Sequence, residues 1–145
     1  IRCGGECPEI YGDPALMLPL FCEPSEKKYK VGLIPHYQDY RRVKSQYPNH
    51  HVINLVSKDP LRVAREISSC EKVISSSLHG IIASHAYGIP AARVVFSNLH
   101  GDGSKFEDYA ASVDTSPEIS TVDKPIYTTG TIPDLQPLID IFKSL

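Results

Sequence analysis

Three observations predict an α/β fold built on a parallel sheet. Short apolar runs recur along the chain, stretches with helical apolar spacing separate them, and cap or stop residues mark the boundaries. The runs lack the strict alternation of a strand that is half exposed, so they read as strands buried on both faces. Strands alternating with helices over the whole length imply βαβ units, and therefore a Rossmann-like parallel sheet with helices on both faces. In such open sheets a ligand lies at the carboxyl ends of the strands, near the point where strand order reverses.

Residues 1–25 are rich in Pro, Gly and Cys without a sustained period, and read as a connector arriving from upstream, with Tyr11-Gly12-Asp13-Pro14 as a turn. Residues 26–145 carry the domain. Lys30-Val31-Gly32-Leu33-Ile34-Pro35 forms the first strand, with His36 and Tyr37 at its carboxyl end. His51-Val52-Ile53-Asn54-Leu55-Val56 forms the second and leads to Asp59-Pro60, an N-cap followed by a proline preset for the first helical position. Val63, Ala64, Ile67 and Cys70 then give an apolar stripe.

Glu71 to Ser76 reads as a third strand and Leu78 to Tyr87 as a helix, closed by Gly88 with Pro90 beyond. That helix has so few polar residues that it should be buried. Ala92 to Phe96 is a fourth strand. Ser104 is placed to cap a helix bearing Phe106, Tyr109, Ala110 and Val113. Leu135, Leu138, Ile139, Phe142 and Leu145 form a last stripe, expected to dock against the sheet.

The composition narrows the function classes. With 145 residues, 41% hydrophobic and 22% charged, the chain is one ordinary globular domain whose core requires neither disulfide nor metal. A formal net charge of −2 leaves no basic stripe for nucleic acid, and no apolar run approaches the ~20 residues that span a bilayer. Cys3, Cys7, Cys22 and Cys70 lack CxxC spacing and read as reduced thiols of a cytoplasmic protein. Cys3 and Cys7 could hold zinc together with Cys22, but no fourth ligand has matching spacing, so no metal is expected.

Chemistry concentrates in Ser75-Ser76-Ser77-Leu78-His79-Gly80, three hydroxyls and an imidazole where a buried strand turns into a helix. The first helical turn leaves backbone N–H groups unpaired and carries partial positive charge, so an anion can bind there with serine help. Gly80 would admit a ligand close to the backbone. His79 suits a phosphate contact or a general acid. The same residues also suit a plain cap and a half-buried polar histidine. His36 is a second candidate by its place at a strand end; a surface histidine packed on Tyr37 is the alternative. Gly101-Asp102-Gly103-Ser104-Lys105 is a loop feeding a helix, with a lysine able to reach an anion. His50, His51, His85 and His100 have no partners at metal spacing and read as structural or solvated. The turn after Ile34 lacks the glycines of a dinucleotide site.

Taken together, Tyr11 to Leu16, Val31 to Tyr37, Ser75 to Pro90 and Lys105-Phe106-Glu107-Asp108-Tyr109 resemble the polysaccharide pyruvyl transferase family. The core of the likeness is Ser-x-Leu-His-Gly followed by Ala86-Tyr87-Gly88-Ile89-Pro90. The resemblance covers the C-terminal half of a family member, one of two Rossmann-like halves in a GT-B-like protein. It implies transfer of pyruvate from phosphoenolpyruvate to two hydroxyls of a sugar as a ketal, in exopolysaccharide or cell-wall glycan synthesis. It implies no cofactor, a sugar or lipid-linked oligosaccharide acceptor, a partner N-terminal domain, and a cytoplasmic site at or near the inner membrane face.

By the same resemblance His79 binds phosphoenolpyruvate or acts as the acid. Ser75, Ser76, Ser77, Leu78 and Gly80 cradle the phosphate, with His36, Tyr37 and Lys105 nearby. Many members carry arginine where this chain has Ser77. A hydroxyl cannot replace the bidentate fork, so Lys105 or an arginine of the N-terminal half must supply the charge, or the donor differs. The alternatives are a GT-B-type glycosyltransferase using a nucleotide sugar, and a catalytically inactive glycan-binding domain.

Overall fold

The computed structural model describes residues 12–97 and 103–144. Cys3, Cys7, Tyr11, His100, Gly101, Asp102 and Leu145, named above, lie outside the described residues. Five parallel strands form the sheet in the order β2-β1-β3-β4-β5, with β1 at Tyr29–Ile34, β2 at His51–Val52, β3 at Cys70–Ser75, β4 at Ala91–Val94 and β5 at Ile119–Ser120. The outer edge of β4 is shared. Its Arg93 and Val94 pair with β5, while Ala91 and Ala92 pair antiparallel with β6 (Tyr127–Thr128).

Neighbouring residues on each strand point to opposite faces, and this divides the core in two. Ile34, Val73 and Ala91 pack with α3 (Pro60–Ser68), α4 (Leu78–Ala86) and α5 (Ser104–Ser112). Leu33, Ile74 and Ala92 pack with Val43 of α2 (Tyr40–Gln46) on the other side. The sheet is thus Rossmann-like and covered on both faces, as the apolar runs predict.

The helix boundaries follow local chemistry. Asp59 caps α3 by accepting from the Arg62 N–H at 3.0 Å, and Val63, Ala64 and Ile67 are buried beneath it. Gly88 ends α4 at φ 67°. Its N–H donates to the His85 carbonyl and that of Ile89 to the Ser84 carbonyl, each at 2.9 Å, which is a Schellman closure. Gly80 through His85 are all buried, as expected for a helix with so little polar surface. A methyl group on Gly80 would stand 2.5 Å from Ser75 Oγ and 2.8 Å from Ile34 Cγ2. Glycine at this position lets α4 lie directly on β1 and β3.

Several expectations are corrected. The second strand is shorter than His51 to Val56: Ile53 still donates to the Leu33 carbonyl, but the Asn54 side chain then accepts from the Val56 N–H and turns the chain away. Gly103, at φ 82°, holds the N-cap position of α5, and Ser104 is the first helical residue. Residues 14–22, inside the expected connector, fold as a 3-10 turn (Pro14–Met17) and α1 (Leu18–Phe21), and Leu16, Met17 and Cys22 are buried. The last helix, α6 (Gln136–Ser144), buries none of its residues. Leu135 and Leu138 reach toward Gly12 at the start of the described chain, while Ile141 and Phe142 stay exposed.

His85 is a structural residue. Its Nε2–H donates to the Thr128 carbonyl at 3.1 Å, which leaves Nδ1 to accept from the Tyr109 hydroxyl at 3.0 Å and ties α4 to β6 and α5. Burial lowers its pKa from the ordinary 6.5, against the opposing pull of the Thr128 carbonyl. Burial likewise lowers that of His51, against the opposing charge of Glu66.

Two outcomes are expected. Gly80→Ala should lower the unfolding free energy by about 1–3 kcal/mol in urea denaturation, since the Ser75 hydroxyl and the Ile34 side chain must shift to admit the methyl. Stability should also fall as pH drops below 6.5, because the unfolded chain then takes up protons on His85 and His51 that the folded chain refuses. Urea midpoints that do not move between about pH 7.5 and pH 5.5 would contradict the burial argument for these two histidines.

Candidate functional site

The strand order reverses between β1 and β3. From β1 the chain passes to β2 on one side, and from β3 it passes to β4 on the other, so connections leave the carboxyl ends of β1 and β3 in opposite directions and open a crevice between them. Pro35-His36-Tyr37 follows β1 at this point, and Ser76-Ser77 follows β3 into α4. A cavity of about 480 Å³ lies here. His36, Tyr37, Ser77, Leu78, His79 and Lys105 line it, all of them singled out by the sequence. Leu55 and Val56, from the segment after β2, complete the wall. Sequence reasoning missed these two because apolar residues in a strand-like run read as core; Val56 is 64% exposed.

Ser75, Ser76 and Gly80 do not line the cavity, and the structure gives each another task. Ser75 Oγ is buried, lying 2.9 Å from the Ile34 carbonyl and 2.8 Å from the Ser77 carbonyl while accepting from the Ser77 N–H at 3.0 Å. Ser76 Oγ accepts the His36 N–H at 2.9 Å, and the Ser76 N–H donates to the Ile34 carbonyl at 3.1 Å. Both hydroxyls therefore lace the end of β1 to the end of β3. Gly80 serves helix packing.

Ser77 is the N-cap residue of α4 in extended conformation, yet its hydroxyl does not cap the helix. The first N–H groups of α4 have no side-chain cap, so the partial positive charge of the helix end faces the cavity. Around it stand His79, whose side chain is 71% exposed, half-buried His36 and exposed Lys105. His36 lies against the Tyr37 ring at 4.4 Å, and its Nδ1 stands 3.4 Å from the Gln38 N–H. Lys105 Nζ lies 5.5 Å from the centre of the Phe106 ring. Three side chains able to carry positive charge thus share one crevice with a helix N-terminus.

Asp39 braces the β1 side. Its carboxylate is buried and accepts from Arg42 Nη2 and Ser97 Oγ at 2.8 Å each, while Arg42 also donates to the Phe96 carbonyl at 2.7 Å. Burial pushes the Asp39 carboxyl up, but the Arg42 and Ser97 hydrogen bonds with the charges of Arg42 and His36 outweigh it and hold it below the ordinary value. The loop carrying His36 is in this way pinned to the segment leaving β4.

No metal centre appears among the described residues, which contain no group of three or more His, Cys, Asp or Glu arranged to hold an ion. Cys22 Sγ faces the Glu23 and Leu61 carbonyls, and burial pushes the Cys70 thiol up to about 11. Both are free thiols held inside the domain. Among the described residues no helix is long and apolar enough to cross a membrane.

A curated relative, an uncharacterized protein of Acanthamoeba polyphaga mimivirus, is 38% identical over 108 residues, covering 68% of this chain. The chain spans 38% of that relative's length. No solved structure gives a significant match. The family description "Polysaccharide pyruvyl transferase" matches residues 2–98, which take in β1, β3, α4 and all but one of the cavity-lining residues, Lys105. The chain belongs to the polysaccharide pyruvyl transferase family.

Proposed function

We propose that the crevice between β1 and β3 binds phosphoenolpyruvate and that the full-length protein transfers its pyruvate to a sugar as a cyclic ketal. The observation that supports this most is the convergence of His36, His79, Lys105 and the uncapped end of α4 on a single cavity. Phosphoenolpyruvate carries a phosphate and a carboxylate on adjacent positions. Such a ligand calls for cationic side chains and free N–H groups, with little aid from hydroxyls already committed elsewhere.

The reaction needs a proton at the methylene carbon, which turns the adjacent carbon electrophilic. One sugar hydroxyl adds to that carbon, the phosphate leaves with its bonding electrons, and a second hydroxyl closes the ketal. One hydroxyl proton balances the proton taken up by the methylene, and the other leaves with phosphate. His79 would supply the proton, beside the helix end that would hold the departing anion. Lys105 stands in for the arginine that other members carry at the position of Ser77, as a single point charge without a planar fork. No organic cofactor is required, because phosphoenolpyruvate brings its own leaving group.

Tyr37, Leu55 and Val56 form an apolar wall that an acceptor sugar ring could lie against. A second domain of GT-B type would close the open side of the crevice over a sugar or lipid-linked oligosaccharide. Both assignments are part of the proposal.

Calorimetric titration of the full-length protein with phosphoenolpyruvate and with UDP-sugars tests the reading. Phosphoenolpyruvate should bind, and His79→Ala should weaken it about tenfold or more, in line with loss of one charge-assisted contact. Binding of the nucleotide sugar alone would overturn the proposal in favour of glycosyl transfer.

A further inference from the structure

We propose that Asp13 is a positioning residue for His79, fixing which ring nitrogen faces the crevice. This rests on the reading of His79 given above and adds the device that orients it.

The placement of Asp13 is built from the backbone upward. Its Oδ1 accepts from the Ala15 N–H at 2.8 Å and its carbonyl accepts from the Leu16 N–H at 2.9 Å, so the residue caps the 3-10 turn that Pro14 begins. Leu16 of that turn is buried in the same cluster as Ile81, Ile82 and Ala83 of α4. With one oxygen held by the cap and the turn seated on α4, the other oxygen has little freedom. It lies 3.8 Å from His79 Nε2, an ion-pair distance longer than a hydrogen bond.

A pair this exposed contributes little to folding, since the His79 side chain is 71% exposed and water screens the attraction between surface charges. Its consequence is for the imidazole itself. A carboxylate facing Nε2 keeps that nitrogen protonated and leaves Nδ1 for the crevice. His79 then donates the Nδ1 proton to the methylene carbon of phosphoenolpyruvate and is left as the neutral ring with hydrogen on Nε2, the form Asp13 accepts. The other ionisable groups near the pair are His36 and Lys105, which share the cavity with His79, and the neutral Tyr109 on α5, whose hydroxyl senses the Asp13 charge while staying bonded to His85.

Asp13→Asn tests this in the full-length protein, because asparagine retains an oxygen for the Ala15 cap and loses only the charge. Transfer from phosphoenolpyruvate should fall at least about tenfold in kcat, a part of the roughly 10²–10⁴-fold that a positioned proton donor supplies, with KM changed by less than about threefold. In a His79→Ala background the same change should have no further effect. Nitrogen-15 NMR of the His79 ring at about pH 8, where histidine is ordinarily neutral, gives a readout independent of turnover. Hydrogen predominantly on Nε2 in the parent and a redistributed tautomer in Asp13→Asn are expected. An unchanged tautomer with parental kcat overturns the role of Asp13. A changed tautomer in a protein that neither binds nor uses phosphoenolpyruvate upholds the pair and overturns the pyruvyl transfer reading instead.

Discussion

Everything at the candidate site hangs on how the end of β1 is laced to the end of β3. Ser75 Oγ reaches the Ile34 and Ser77 carbonyls, and Ser76 Oγ takes the His36 N–H. These contacts join two strands whose connections leave in opposite directions, so the reversal point of the sheet becomes a rigid corner. They also use the hydroxyls that a helix-start motif would otherwise offer to a ligand. In the proposed reading, recognition of an anion falls to the end of α4, to His79, His36 and Lys105, and to the hydroxyl of Ser77.

Gly80 belongs to the same construction. Its missing side chain lets α4 rest against Ser75 Oγ and Ile34, which sets the height of the helix end above the sheet. Asp39 supplies the complementary brace, holding the loop of His36 to Ser97 and Phe96 through Arg42. Preorganisation of this kind spares a ligand the cost of ordering the groups that bind it.

Much of the fold was legible because its signals are local. β1, β3 and β4 are short apolar runs, α3 and α5 carry apolar residues at helical spacing and α4 has few polar residues, with Asp59-Pro60 and Gly88 marking ends. The two-residue strands β5 and β6 offer no period at all, and α2 buries only Val43, so its apolar stripe is a single residue. The segment around Leu16 read as a connector since its Pro and Gly content hid a turn that packs on α4. The site divided along similar lines. His36, Tyr37, Ser77, Leu78, His79 and Lys105 were identifiable from residue type and position, and they line one cavity. The packing duty of Gly80, the lacing by Ser75 and Ser76, and the reach of Asp13 to His79 all depend on contacts between elements distant in sequence, which no local pattern encodes.

The central claim is that the corner between β1 and β3 is the ligand site. The most direct measurement is amide chemical-shift mapping of the full-length protein as phosphoenolpyruvate is added. The account predicts the largest changes at His36, Tyr37, Ser77, Leu78, His79 and Lys105, with little movement along β5 and β6. Changes centred on the β5 and β6 edge, or on exposed Leu20 and Phe21 of α1, with the amides of Ser77 to His79 unmoved, would contradict it.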